Sequence, residues 1–181
     1  MISRLAQRPL ETKFGTFKEV LYYDGRCESI ALVMGDVAGR ANVLCRIHSA
    51  CIGGHVFNSV ECECAAEMRA AQKAIQDAGR GVIIYLEQEG KGNGHLALML
   101  SMPFKKAGHS QAEAYELAGY SADARSYFPA ASILRELGVK SVSVMTENAS
   151  KAQELREHGI EVADTIPLEL TQVSTTVPNI S

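Results

Sequence analysis

The chain of 181 residues contains no tryptophan and only five prolines, and its net charge is −3. It has no apolar run long enough to cross a membrane, and its first residues lack the apolar core of a signal peptide. The small net charge gives no electrostatic basis for sequence-independent binding of nucleic acid. We therefore expect a soluble cytoplasmic protein that binds neither membranes nor nucleic acid.

Five cysteines are an odd number, and nothing marks the chain as secreted, which argues against a disulfide framework. Hydrophobic residues make up 46% of the chain, which is enough to form one hydrophobic core without disulfide bonds. After Pro167 no helical stripe is present, so we expect one domain over residues 1–170 and a flexible tail over residues 171–181.

The order of predicted elements indicates an α/β protein with a mixed sheet. Strands are predicted at residues 15–23, 29–36 and 41–49, followed by a helix at 65–78, a strand at 81–86, a helix at 130–137, a strand at 141–145, a helix at 150–158 and a strand at 160–163. Strands come first in the chain, and strands alternate with helices after them. This order predicts a single domain with antiparallel N-terminal strands, later βα units and helices packed on the sheet.

Three cysteines, Cys51, Cys62 and Cys64, fall in one short stretch that also contains a Gly-Gly pair. Three thiolates can hold a zinc ion and leave its fourth position to water, which is the arrangement of a catalytic zinc site. By spacing alone, they can equally be buried small hydrophobic residues of a reduced protein. The other two cysteines, Cys27 and Cys45, are predicted to lie in strands away from this loop.

Two further segments carry charged residues suited to a ligand. Residues 87–95 place three glycines at alternate positions after a predicted strand, so Glu89 could accept hydrogen bonds from a base edge and Lys91 could meet an anion. A plain turn explains these glycines equally well. Asp123 and Arg125 can face one side of an extended segment as a proton shuttle and a phosphate clamp. A solvated ion pair or a helix cap is the alternative.

Taken in order, these segments resemble GTP cyclohydrolase II, the zinc enzyme that opens the imidazole ring of GTP at the start of riboflavin synthesis. The resemblance covers residues 43–168. It rests on the following matches: Cys51 followed eleven and thirteen residues later by Cys62 and Cys64, Arg46-x-His48-Ser49, Gln88-Glu89-Gly90, Gly119-Tyr120-x-x-Asp123-x-Arg125, and Thr146-x-Asn148 with Lys151 downstream.

The resemblance implies one zinc ion per chain on the three clustered cysteines, Mg²⁺ bound with the nucleotide polyphosphate, and a homodimer. It implies that Asp123 is a catalytic proton shuttle and that Arg125 engages the α-phosphate. Because arginine stays protonated in proteins, we expect charge stabilisation from Arg125 rather than nucleophilic attack. Substrate contacts are implied for Arg46, Ile47, His48, Ser49, Glu67, Gln88, Glu89, Gly90, Lys91, Met102, Gln111, Thr146 and Lys151.

The chain departs from the family pattern around the ligand. Family residues are replaced at Glu87 and Lys91 (both Arg), His55 (Asp), Glu67 (Gln), Tyr115 (Asn), Asn93 and His95 (Ile and Leu), and, on a count without gaps from Glu89, Met102 (Tyr) and Gln111 (Thr). An altered pocket with retained catalytic residues is expected of a relative with a different substrate or an incomplete reaction. His55 and His95 are candidates for metal or base contacts, or are simply solvated.

We therefore expect a zinc-dependent hydrolase that attacks C8 of a guanine nucleotide, GTP first among them. A zinc-bound water, with its pKa lowered to about 7, would be the nucleophile. The reaction would release formate and pyrophosphate or stop at a formamidopyrimidine, feeding riboflavin or a secondary metabolite. The alternatives are a hydrolase of another purine or pyrimidine nucleotide and a non-catalytic nucleotide-binding homologue. A pure binder has no need of Asp123 beside an open metal position, which favours an enzyme.

Overall fold

The computed structural model describes residues 2–170 and contains one seven-stranded sheet. Its strands are β1 (Ser3–Thr12), β2 (Gly15–Tyr23), β3 (Glu28–Met34), β4 (Val43–Ser49), β5 (Gly81–Leu86), β6 (Ser141–Met145) and β7 (Glu161–Ile166). Its helices are α1 (Ile52–His55), α2 (Cys64–Ala78), α3 (His95–Lys106), α4 (Gln111–Leu117), α5 (Phe128–Glu136) and α6 (Ala149–Glu157).

The sheet has the strand order β1-β2-β3-β5-β4-β6-β7. Pairing is antiparallel from β1 through β3 to β5, and parallel from β5 through β4 and β6 to β7. The predicted α/β class and the mixed sheet with antiparallel N-terminal strands are confirmed.

Helices cover both faces of the sheet, as the alternation along β5 shows. Val82 and Ile84 belong to a core cluster that contains Leu134 of α5, whereas Ile83 belongs to a second cluster with Ile75 of α2. Successive side chains of a strand point to opposite faces, so a strand that is buried on both sides needs a continuous apolar run. The run over residues 81–86 meets this requirement and places α2 opposite α5.

Strand β1 is absent from the predicted elements. It pairs with β2 at the edge of the sheet, most of its residues are exposed, and it contains Pro9. Because an edge strand can be polar and can tolerate proline, its sequence carries little of the alternation that predicts a strand. Cys27 is also placed differently from the prediction, since it lies in the loop just before β3.

Helices α1, α3 and α4 were also not predicted. Pro103 lies inside α3, where proline usually argues against a helix. A detectable signal precedes α4, because Ser110 and Glu113 form a reciprocal capping box: the Ser110 side chain accepts from the Glu113 N–H at 3.3 Å, and the Glu113 carboxylate accepts from the Ser110 N–H at 2.8 Å. That pattern alone was sufficient to predict the start of α4.

The predicted flexible tail, residues 171–181, lies outside the described residues, so the domain boundary at residue 170 stays a prediction. Within residues 2–170, each helix is too short or too polar to span a bilayer.

Candidate functional site

A cavity of about 490 Å³ opens beyond the carboxyl ends of the parallel strands β4 and β5. Its walls come from the loops that follow these strands, from the start of α2, and from α3 and α4. The carboxyl edge of parallel strands is where α/β proteins bind ligands. The wall includes the three clustered cysteines and all predicted substrate contacts except Ile47 and Thr146.

The predicted grouping of Cys51, Cys62 and Cys64 is confirmed. Their Sγ atoms all lie within 4.8 Å of one another, and the Cys51 and Cys62 sulfurs are 3.6 Å apart, far beyond the ~2 Å of a disulfide bond. Cys51 caps α1 and Cys64 begins α2, so two helix starts bring the thiols together. Cys45 is buried and Cys27 exposed.

Gly54 packs directly against the thiols. Its N–H donates to Cys51 Sγ at 3.4 Å, and a Cβ atom at this position would lie 2.9 Å from Cys62 Sγ and 3.2 Å from the Cβ of Cys64. Glycine is therefore required here by close approach. The backbone of α1 forms one wall of the thiol cluster.

The chemistry of the thiol cluster fits a bound zinc ion. Burial raises the pKa of Cys64, and the neighbouring thiols raise it further; burial is also the main reason that the pKa of Cys51 is raised. The thiols of Cys51 and Cys64, which burial makes costly to ionise, become thiolates when a cation lies beside them. Among residues 2–170 the cluster has three sulfur donors and no fourth protein ligand, which suits a catalytic zinc site.

Two histidines meet beside the thiol cluster. The Nε2 atoms of His48 and His55 are 2.9 Å apart. Burial, then the charges of Arg46, His55 and Lys151, lower the pKa of His48 to about 3. His48 is therefore neutral at physiological pH. His55 contacts another side chain and is not simply solvated, whereas His95 is exposed at the start of α3 and lines the cavity.

The glycine-rich loop after β5 is a wall of the cavity and holds the Asp123 segment in place. A Cβ on Gly92 would lie 2.8 Å from the carbonyl group of Ala124, and the Ala124 N–H donates to the Lys91 carbonyl at 2.9 Å. Glu89 accepts from the backbone N–H of Ile52 at 2.7 Å, which links the same loop to the cysteine loop. Both loops are thus fixed around one cavity.

Asp123 and Arg125 form the ion pair that the sequence left open as an alternative. Arg125 Nε donates to Asp123 Oδ1, and Arg125 Nη2 donates to Asp123 Oδ2. Arg125 lines the cavity, whereas Asp123 is exposed and is not among the lining residues. Two donors of the Arg125 guanidinium, Nε and Nη2, are therefore already bound to Asp123 before a phosphate binds.

Arg46 and Lys151 lie buried at the same end of the cavity. Arg46 donates to the Met145 carbonyl at 2.8 Å and to Glu67 Oε2 at 2.7 Å. Lys151 Nζ donates to the Ile47 carbonyl at 3.1 Å. Burial, then the charges of Arg46 and other nearby cations, lower the pKa of Lys151 to about 8. Both side chains are placed to meet an anion.

Comparison with known proteins defines the family. The family model described as GTP cyclohydrolase II matches residues 3–167. The chain belongs to the GTP cyclohydrolase II family.

Curated relatives agree with this assignment. The GTP cyclohydrolase-2 of Streptomyces coelicolor is 41% identical over 170 residues, covering 92% of this chain and 76% of the relative. That of Actinobacillus succinogenes is 37% identical over 171 residues, covering 93% and 79%. The riboflavin biosynthesis protein RibBA of Bacillus subtilis is 38% identical over 174 residues, covering 94% of this chain but 44% of the relative, so the chain spans less than half of that protein. The predicted resemblance and the prediction of a GTP cyclohydrolase II-type enzyme are confirmed.

Most departures from the family pattern cluster on the cavity wall. Lining positions among them are Glu67, Lys91, His95, Met102, Gln111 and Tyr115. Glu87 is exposed and lies outside the wall. The departures therefore alter the surface that a ligand touches, while the thiol cluster keeps the family spacing.

Three predicted site residues do not line the cavity. Ile47 is fully buried in the core and contributes its backbone carbonyl to Lys151. Thr146 is buried, and its hydroxyl accepts from the Asn148 N–H at 3.0 Å. Asp123 reaches the cavity only through its partner Arg125. Ile47 and Thr146 are thus buried, whereas Asp123 is exposed beside a lining residue.

Sequence reasoning missed part of the wall. Leu98, Met102 and Lys105 line the cavity from one face of α3, and of these only Met102 was a predicted contact. Their spacing of four and three residues is that of one helix face, a signal that would have grouped them once α3 was recognised. Tyr127 is buried next to the wall, with its ring 5.7 Å from the Arg125 guanidinium and 6.0 Å from Lys151 Nζ, and no comparable sequence signal marks it.

Proposed function

We propose that the protein is a zinc-dependent hydrolase that opens the imidazole ring of a guanine nucleotide, GTP first among them, by adding water at C8. The observation that carries the proposal is that the thiol cluster and three cations, Arg46, Arg125 and Lys151, line one cavity. A metal site beside phosphate-binding charges suits a nucleotide substrate. Relatives named GTP cyclohydrolase-2 support the same substrate.

Cys51, Cys62 and Cys64 would hold the zinc ion. When bound, zinc would supply Lewis-acid activation of a water molecule at neutral pH. Because Gly54 has no side chain, its backbone packs directly against the three cysteines and lets their thiols lie within reach of one ion.

Asp123 is exposed beside the lining residue Arg125, and its carboxylate would turn into the cavity to accept a proton from the attacking water and return it to the ring nitrogen that leaves C8. Its carboxylate is ionised at neutral pH because Arg125 holds it, and the ionised form is the one that accepts a proton. Arg125 would stabilise negative charge at the α-phosphate and so assist any loss of pyrophosphate. We also propose that Mg²⁺ arrives with the polyphosphate.

The extent of the reaction depends on the wall formed by α3. Removal of the formyl group needs a donor or acceptor that steers the amide, and the Met102 thioether supplies almost none. We propose that a formamidopyrimidine accumulates and that formate is released slowly.

A homodimer is implied by family membership, and we propose it for this chain. Large apolar side chains around the cysteine loop and α3 support it: Val56, Phe57, Val60, Leu96 and Met99 are each more than half exposed, at 63%, 68%, 72%, 65% and 61%. Light scattering on the purified protein tests this proposal, since a monomeric mass would contradict it. The cytoplasmic location stays a prediction.

Mass spectrometry of the products tests the proposed reaction. Zinc-loaded protein with GTP and Mg²⁺ is expected to yield a nucleotide that has gained one water, or that has gained water and lost formate. The Cys62→Ser/Cys64→Ser double variant should lose both zinc and conversion, whereas Cys27→Ser, at an exposed cysteine, should keep both. GTP recovered intact would overturn the assignment. Conversion of another nucleotide instead would favour the related hydrolase, and binding without conversion would favour a non-catalytic homologue.

A further inference from the structure

Two cations, Arg125 and Lys151, lie beside the ring of Tyr127, and Arg46 lies at the same end of the cavity. The Arg125 guanidinium and Lys151 Nζ lie 5.7 Å and 6.0 Å from the ring centroid, and Lys151 Nζ also donates to the carbonyl of Ile47, the residue after Arg46, at 3.1 Å. All three cationic side chains line the cavity. A phosphate chain that enters the cavity would bind at this end.

Each of the two arginines already forms a salt bridge with a carboxylate of the protein. Arg46 pairs with Glu67 at 2.7 Å, and Arg125 pairs with Asp123 at 2.5 Å. The Arg46 side chain is 5% exposed, whereas the Glu67 side chain is 35% exposed and lines the cavity. A ligand phosphate therefore meets the Glu67 carboxylate as soon as it approaches Arg46.

The two carboxylates cancel much of the charge that would attract a long phosphate chain. Of the three cationic charges, two are each offset by a paired carboxylate. Each phosphate added to a nucleoside brings further negative charge, which the cations attract and a neighbouring carboxylate repels. The gain in affinity from each added phosphate is thereby reduced.

We propose that Glu67 sets the phosphate-chain specificity of the site. By pairing with Arg46, it makes the protein accept guanosine mono-, di- and triphosphates with similar efficiency. The identity of the base rests on the proposed function, whereas the action of Glu67 on the phosphate chain can be tested without any ring opening.

Calorimetric binding of inorganic triphosphate and inorganic phosphate, without Mg²⁺, tests this action on the zinc-loaded protein. Glu67→Gln keeps the size of the side chain and removes its charge. It should bind triphosphate on the order of tenfold more tightly, with a smaller gain for phosphate. Glu63→Gln makes the same charge change at an exposed residue outside the cavity wall, and should leave both affinities unchanged. Equal gains for the two anions, or the same gain in Glu63→Gln, would overturn the proposal.

A competition assay tests specificity in the wild type, which does not depend on the folding of any variant. With GTP and GMP in one mixture, the two kcat/KM values should differ by less than about tenfold, and Glu67→Gln should shift their ratio toward GTP by about tenfold. A wild-type preference for GTP above about a hundredfold would overturn the proposal and leave the proposed reaction intact. If neither nucleotide is opened while the anion affinities differ as expected, the proposed reaction fails and the role of Glu67 stands.

Discussion

The carboxylate of Asp123 accepts two hydrogen bonds from the guanidinium of Arg125, at 2.9 Å from Nε and 2.5 Å from Nη2. Burial alone would raise the pKa of Asp123, but the hydrogen bonds and charge of Arg125 outweigh burial and lower it. Asp123 therefore begins the proposed reaction as a base rather than an acid. The same contact holds the Arg125 fork on the wall of the cavity.

Replacing Asp123 with Asn should lower turnover by roughly 10²–10⁴-fold, because the amide cannot carry the proton between water and the ring nitrogen. Zinc content and folding should be preserved, since Asp123 is an exposed residue and not one of the three clustered thiols. Steady-state rates and metal analysis check both points. Asp36→Asn is the matched control, because Asp36 forms an exposed ion pair with Arg40. Nearly full turnover in Asp123→Asn would require another base, for which His48 and His55 are the candidates.

Replacing Gly54 with Ala should weaken zinc binding by roughly 10–100-fold, the usual effect of disturbing the surroundings of a metal ligand. The added Cβ would lie 2.9 Å from Cys62 Sγ, too close for a real contact. Gly53→Ala is the control, since its Cβ would meet the Ser59 Cβ at an ordinary 3.6 Å. Zinc affinities measured with a competing chelator compare the two variants. Equal affinities in both would show that the packing of Gly54 has no bearing on the metal.

The value of kcat/KM should fall as the pH rises through about 8. Burial, followed by the charges of Arg46 and Arg125, lowers the pKa of Lys151 to this value, so the charge that binds phosphate is present below it and lost above it. Lys151→Arg should move the fall to higher pH, because arginine stays protonated. A pH profile of kcat/KM, which reports the free enzyme, makes the comparison. Identical profiles for the two proteins would exclude Lys151 as the titrating group.

Formate should appear in less than stoichiometric amount relative to consumed nucleotide. Met102 lines the cavity at the position where a count without gaps places the family's tyrosine, so Met102→Tyr should increase formate release. The hydroxyl of Tyr115 is buried on the same wall without a hydrogen-bond partner among residues 2–170, and burial, then Glu89, raises its pKa, so it stays a donor. Tyr115→Phe should therefore reduce any residual formate.

Formate and nucleotide quantified in the same reaction decide this prediction. Stoichiometric formate from the wild type, unchanged in Tyr115→Phe and not increased by Met102→Tyr, would show that neither side chain controls the second hydrolysis.

The sequence predicted the parts of the fold that are buried on a regular period. The strand at residues 81–86 is apolar throughout because both faces are covered, and α2 carries a clear helical stripe. The sequence does not predict strand β1 because it is an exposed edge strand, and it does not predict helix α3 because Pro103 lies inside it. Local signals fail where burial is slight or where tertiary contacts override a helix breaker.

Sequence motifs predict which residues belong to the candidate site. They do not predict which of those side chains contact one another in the folded protein. The spacing of Cys51, Cys62 and Cys64 was enough to group the thiols. No spacing rule shows that Glu67 neutralises Arg46, which lies 21 residues away, or that His55 contacts His48 across the turn formed by the cysteine loop. Charge pairing inside the cavity therefore had to come from the structure.

Oxygen-18 water tests the central claim most directly. Zinc-loaded protein converting GTP in labelled water should place the label in the formyl group of a formamidopyrimidine, or in released formate, because the oxygen that adds to C8 comes from water. Mass spectrometry of the base fragment and of formate locates it. Label confined to released phosphate, with the guanine ring intact, would show that the protein only hydrolyses the phosphate chain and would contradict ring opening.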